Sequence, residues 1–155
     1  MKILSTLLFS TCVCFASLAH AEVSTTSSSP SVADHLNNAH KAMLANDWRG
    51  ASATLEQALR DDPSNADVHN LLGYYYRKRA TPDLNKAFEH YNTALRINPN
   101  HKAAHEYIGE AYLMANKPAD AEKHLARLET ICGNKTCEEY AELNKAIATW
   151  KAASK

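Results

Sequence analysis

Glycine occurs four times in 155 residues, at positions 50, 73, 109 and 133. Glycines so few and so far apart cannot build the loop that cradles a phosphate, which argues against nucleotide chemistry. Net charge is missing too, because 17 Lys and Arg balance 17 Asp and Glu. Without a basic patch, the chain offers nothing for nucleic acid or an anionic lipid surface to meet. Runs of β-branched residues are absent and alanine is abundant, a composition that favours helix. The serines cluster near the amino end, away from any histidine, so no nucleophilic triad is in view. Carboxylate pairs such as Asp61-Asp62 and Glu138-Glu139 fall at expected helix ends, where they read as solvated caps.

The one long apolar run lies at the amino terminus. After Met1-Lys2, the stretch from Ile3 to Leu18 is apolar and rich in Ser and Thr, and Ala19-His20-Ala21 has the small-x-small pattern of a signal-peptidase site. The run is shorter than the ~20 residues a membrane span needs, and neither Cys12 nor Cys14 sits in a lipid-attachment box. The expectation is a signal peptide over residues 1–21, cut after Ala21, with a periplasmic or secreted product and no stable membrane insertion after cleavage. Removing Lys2 from the 17 basic residues leaves 16 against 17 acidic ones, a net charge near −1. Cys132 and Cys137 are the only cysteines that remain, in an oxidising compartment. Residues 22–31, EVSTTSSSPS, have almost nothing to bury and form a flexible lead-in. Residues 32–155 are enough for one domain.

That domain repeats itself. Ala51, Leu55, Ala58 and Pro63 recur as Ala87, Tyr91, Ala94 and Pro99, and again in part as Ala121, Leu125 and Leu128. Ahead of the second and third sets stand Leu72-Gly73-x-x-Tyr76 and Ile108-Gly109-x-x-Tyr112, where the first unit has Asn38-Ala39-x-x-Ala42. The pattern resembles the tetratricopeptide repeat, a helix pair of roughly 34 residues that stacks on its neighbours. The resemblance covers about Val32 to Ile131 and departs from the family in the first unit and at the extra residues Arg79-Ala80-Thr81-Pro82. It implies an all-α fold: three helix pairs, about 32–65, 66–101 and 102–135, stacked as a short right-handed solenoid with a C-terminal capping helix over about 137–152. Seven helices are expected, at about 32–45, 48–60, 65–79, 83–96, 101–115, 118–131 and 137–152. Gly73 and Gly109 are expected to let helices approach closely opposite Ala87 and Ala121, with Tyr76 and Tyr112 filling the volume beside them. Ser64-x-x-Asp67 and Thr136-x-x-Glu139 read as capping boxes, and Pro82 and Pro118 suit a first helical position.

The stretch ICGNKTCEEY spaces Cys132 and Cys137 across an expected turn, with Gly133 supplying the left-handed stop of the sixth helix. A zinc site needs two further ligands, and His124 lies two turns back. A thioredoxin-type pair is separated by two residues, not four. The main expectation is a structural disulfide that fastens the last helix, whose Tyr140, Leu143, Ile147 and Trp150 form an apolar stripe able to cover the end of the stack. The pair is expected to lie outside any recognition surface. His101 and His105, one turn apart on the fifth helix, lack the acidic signature of a metal-binding helix, so no metal and no cofactor is expected.

No enzyme chemistry emerges, and the resemblance implies a binding scaffold. In such repeats the first helix of each pair lines a concave face. Here that face would expose Leu36, His40, Met43 and Leu44, then Asn70, Tyr74, Arg77 and Lys78, then Glu106, Glu110, Leu113 and Met114. The family's clamp for peptide C-termini wants lysine and asparagine where this chain has Asn70 and Tyr74, so that specificity does not carry over. The expected partner is a protein or peptide segment, and the expected role is an exported interaction module in envelope protein assembly. The alternative is a metal- or thiol-handling periplasmic protein that uses Cys132, Cys137 and the histidines.

Overall fold

The structure, a computed structural model, describes residues 29–154. The expected cleavage after Ala21, Cys12 and Cys14, and most of the lead-in lie outside those residues. Ser31 opens the first described helix: its hydroxyl accepts from the Asp34 N–H while the Asp34 carboxylate accepts from the Ser31 N–H. This reciprocal pair satisfies two donors that a helix start leaves open, and it begins α1, Val32–Leu44. There follow α2 (Trp48–Asp61), α3 (Ala66–Lys78), α4 (Leu84–Ile97), α5 (Lys102–Met114), α6 (Pro118–Cys132) and α7 (Glu138–Ala153). Every boundary falls within one residue of its expected place, and no strand occurs among the described residues.

The caps are less faithful to expectation. Asn65, not Ser64, caps α3, accepting from the Asp67 and Val68 N–H groups, while Ser64 turns back to Asp62. Asp83 caps α4, which leaves Pro82 outside the helix, whereas Pro118 does open α6. Thr136 bonds Asn134 instead of capping α7, and Cys137 occupies the cap position without a side-chain bond. At α3 and α4 a neighbour whose side chain reaches the first-turn N–H groups takes the role, while α7 starts without a side-chain cap. Gly133 stops α6 at φ 69° as expected.

The odd-numbered helices form one series and the even-numbered ones another. Each of α1, α3 and α5 pairs with the helix that follows it, and α1 meets α3, α3 meets α5 and α5 meets α7. Helix α7 also contacts α6, as α5 contacts α4. It therefore takes the position of a further first helix, extending the α1–α3–α5 series instead of only closing its end. The turns from α1 to α2 and from α5 to α6 are alike, with Asn46 at φ 60° and Asn116 at φ 58°. The two extra residues between α3 and α4 change that turn, yet its anchoring bond survives: Asp83 N–H donates to the Tyr76 carbonyl, as Asp47 does to Ala42 and Lys117 to Tyr112.

The core runs as three linked clusters between the two series, around Leu55 and Val68, around Tyr91 and Ile108, and around Leu128, Leu143 and Ile147. A Cβ on Gly73 would lie 2.5 Å from the Tyr91 ring, and one on Gly109 would lie 2.6 Å from a Leu143 methyl. The glycines thus admit large side chains of α4 and α7, Tyr91 and Leu143 being the nearest neighbours. Tyr75 is buried, while Tyr76, the expected core member, is half-buried and stacks on His90. Among the described residues no helix is long and apolar enough to cross a membrane.

Candidate functional site

The series α1, α3, α5 and α7 presents two hollows. The smaller, about 260 Å³, is lined by Leu36, His40, Asn70 and Tyr107 among others. Asn70 is only 6% exposed, and its Oδ1 has no hydrogen-bond partner among the described residues. The larger is an open groove of about 490 Å³ between α3, α5 and α7. Arg77, Lys78, Glu110, Leu113 and Met114 form one side and floor, and Glu142, Lys145, Ala146, Thr149 and Trp150 form the other. Met114 is 49% exposed, and with Leu44 at 70% it is one of two large apolar side chains among the described residues that stand out to this degree.

Several residues expected on this face are placed differently. Met43 is buried in the first core cluster and is unavailable to a ligand. Arg77 lines the groove but is only 5% exposed. Its guanidinium meets Glu110 at 2.6 Å, its Nε donates to the Tyr91 hydroxyl at 3.2 Å, and it lies over the rings of Tyr74 and Tyr107. A charge so deeply placed is offset by the Glu110 carboxylate, the Tyr91 hydroxyl and two aromatic faces. Tyr74 is half-buried and packs on Tyr107, ring centroids 5.1 Å apart. Leu113 is mostly core. His40 and Lys78 are exposed as expected, and Leu36, Glu106 and Glu110 are half-buried.

Glu106 has the most perturbed carboxyl. Burial, then the nearby carboxylates Glu110 and Glu139, push it up to about 8, and Arg77 offsets this only partly.

The histidines are organised by the repeat. His69 Nε2 lies 3.1 Å from the Pro63 carbonyl, and His105 Nε2 lies 3.1 Å from the Pro99 carbonyl. A carbonyl only accepts, so each Nε2 carries the proton and each Nδ1 offers a lone pair. That lone pair receives the Nδ1–H of the paired ring, His90 at 3.1 Å and His124 at 2.8 Å. In the first pair of helices the equivalent His35 meets Asp61 at 3.3 Å. His101 caps α5 and reaches Asp67 at 3.0 Å, so it does not converge with His105 on a common point. These pairings were invisible while the histidines were read along one helix; their signal was the near-34-residue spacing of 35, 69 and 105.

Cys132 and Cys137 face one another across the α6–α7 turn, Cα atoms 6.2 Å apart, a separation a disulfide spans. They are, with Glu139, the one group of three such ligand types gathered closely among the described residues. The sequence reading set this turn apart from recognition, but the helix it holds supplies half of the groove lining. Sequence reasoning missed that role because the Tyr140, Leu143, Ile147 stripe accounts for α7 as a cover.

Two family models described as tetratricopeptide repeat match residues 36–101 and 80–131, together most of the helical region. An 80-residue stretch is 31% identical to cellulose synthase operon protein C of Pseudomonas fluorescens; it is 52% of this chain but only 6% of that protein's length. The fold is similar to that of the type III secretion translocator chaperone SycD of Yersinia enterocolitica, crystallised as an alternative dimer. That likeness has a TM-score of 0.65 at 18% identity and covers 81% of this chain and 92% of the other. At such identity it speaks for the fold alone.

Proposed function

This chain belongs to the tetratricopeptide repeat family, and we propose that it is an exported, non-catalytic scaffold holding a segment of another envelope protein in the groove between α3, α5 and α7. The division into a removed leader (1–21), a lead-in (22–31) and a repeat domain (32–155) is part of the same proposal. One observation carries it above all: an open groove whose floor ends in exposed Met114 and whose far wall carries half-exposed Trp150. Apolar side chains gathered in a polar-rimmed hollow gain by covering one another with a partner's side chains.

A photo-crosslinking side chain placed at Met114 tests this in the native host. Adducts with another protein are expected from position 114 and not from Lys123, which is exposed on α6. No adduct at 114, or equal adducts at both, removes the groove reading. Exported protein should begin at Glu22, and an intact Met1 overturns the leader assignment.

The turn at Cys132 and Cys137 is closed as a disulfide in this reading. Protein from the envelope should contain no titratable thiol. Two reactive thiols would favour the metal- or thiol-handling alternative, to which the nearby Glu139 carboxylate lends its one support.

A further inference from the structure

The smaller hollow, about 260 Å³, lies on α1, α3 and α5 and shares two of these helices with the groove. Its lining comes from equivalent places in successive repeats. Leu36 and Asn70 stand three residues before Ala39 and Gly73, while Asn37, Leu71 and Tyr107 stand two before Ala39, Gly73 and Gly109. Asn70 is 6% exposed, and its Oδ1 accepts no hydrogen bond among the described residues. A buried amide oxygen left in that condition is costly, and the great majority have a donor. The χ2 torsion of asparagine is broad, so the amide can turn toward a group that enters the hollow it lines. Little free charge surrounds it. Asp67, the one acidic residue of the lining, already meets His101 at 3.0 Å. Tyr107 keeps its hydroxyl proton, pushed up to about 12 by burial first and by Glu106 next.

Resting on the segment-holding reading of the groove, we propose that the hollow is a second seat for the same occupant and takes a primary carboxamide, the side chain of an asparagine or glutamine. Chemistry and size select that group. The Asn70 amide offers an acceptor and a donor side by side, and another primary carboxamide matches both at once. A trans peptide group points its N–H and C=O to opposite sides and meets only one of them. A charged group set against Asn70 would lose its water without finding a free counter-charge. At about 260 Å³ the hollow falls below the ~300–1,000 Å³ of sites that enclose whole small molecules, and it has room for a side chain. The hollow centres on α3 and the groove on α5, one helix spacing of about 8–10 Å apart. Along α3, Asn70 lies seven residues before Arg77, about 10 Å at 1.5 Å per residue. The two offsets combine to roughly 14 Å, which an extended chain covers in about four residues. The occupant therefore reads carboxamide, about three intervening positions, aliphatic or aromatic residue, in one chain direction or the other. The apolar residue sits against Met114 and Trp150.

A displayed library of random twelve-residue peptides, selected on the full chain as its host processes it, provides the test. Recovered peptides should be enriched in Asn or Gln about four residues from an apolar residue. Their synthetic versions should lose about tenfold in affinity with Asn70→Leu and more with Trp150→Ala. Asn70→Leu removes an unpartnered buried amide in favour of an apolar side chain of similar volume, so an unaltered or raised melting temperature accompanies the loss. Exchanging the carboxamide residue of the peptide for methionine should cost the same tenfold on the unaltered protein and nothing further on Asn70→Leu, a non-additive double-mutant cycle that a merely structural asparagine would not give. Peptides that need Trp150 but show no carboxamide preference, or a cycle that proves additive, overturn the seat and leave the groove intact; water alone then meets the Asn70 oxygen. Failure to select any peptide that depends on Met114 or Trp150 removes the groove reading and this inference with it.

Discussion

Gly73 and Gly109 sit inside helices, where glycine costs about 1 kcal/mol relative to alanine. They are tolerated because Tyr91 and Leu143 occupy the space a Cβ would take, at 2.5 and 2.6 Å. Gly73→Ala and Gly109→Ala should therefore destabilise by about 1–3 kcal/mol despite the better helix propensity, read as a lower urea midpoint. Gly73→Ala is expected to cost more, since the rigid Tyr91 ring is fully buried and tied to Arg77, while Leu143 has rotamers to change. Arg77 gives a second prediction at this scale. Viewed as a groove anchor, its truncation would spare the fold. Buried against Glu110 and Tyr91, Arg77→Ala instead leaves a half-buried carboxylate without its cation, and a loss of about 3 kcal/mol in denaturant unfolding is expected.

Each imidazole pair ties a first helix to its second helix and, through a proline carbonyl, to the turn from the preceding pair. His124 is lowered to about 4 by burial first and by His105 next, and His90 and His105 are also lowered, chiefly by burial. A histidine held neutral in the fold regains its ordinary affinity for a proton, near 6.5, on unfolding. Stability is thus full above about pH 6.5 and declines as pH falls toward 4, because the unfolded chain takes up more protons. Melting temperature should fall between pH 7 and 5, and His124→Gln should flatten that slope. The α6–α7 turn sets a further expectation at this scale. Cys132→Ser with Cys137→Ser should cost roughly 2 kcal/mol for so short a loop. Because α7 walls the groove, the same change should also weaken partner binding, where an end cover remote from the groove would leave it untouched.

At the scale of the whole molecule, the described helices form a series of repeats in which α7 takes the place of a first helix. Helix α7 buries Tyr140, Leu143 and Ile147 against α5 and α6. Ending the chain at Gly133 would expose that surface, and the loss should be on the order of 5 kcal/mol at ~1.5–3 kcal/mol per buried side chain. Increased binding of an apolar dye and a broader thermal transition would accompany it, since neighbouring repeats support one another. Peptide binding should disappear with α7 even if α1–α6 remain folded. Retained affinity in the truncated chain would place recognition in the smaller hollow near Leu36 and Asn70.

Elements and repeat order were legible because their signals are short-ranged. Apolar spacing, alanine content, Pro118 and Gly133 act within a turn or two, and the recurrence from Ala51 to Ala87 to Ala121 states the stacking rule. Those features determined seven helices, their bounds and the meeting of Cys132 with Cys137. Which side chains face one another between helices depends on packing of segments that lie several turns of helix apart in sequence, and no local pattern carries that. Only the tertiary structure turned Arg77 inward to Glu110 and Tyr91, buried Met43, joined His69 to His90 and His105 to His124, and set Glu106 among Glu110, Glu139 and Glu142. It also decided that α7 is a groove wall. The apolar stripe of that helix is the same whether it covers an end or continues a series; Gly109, by admitting Leu143, brings it alongside α5 and completes the groove.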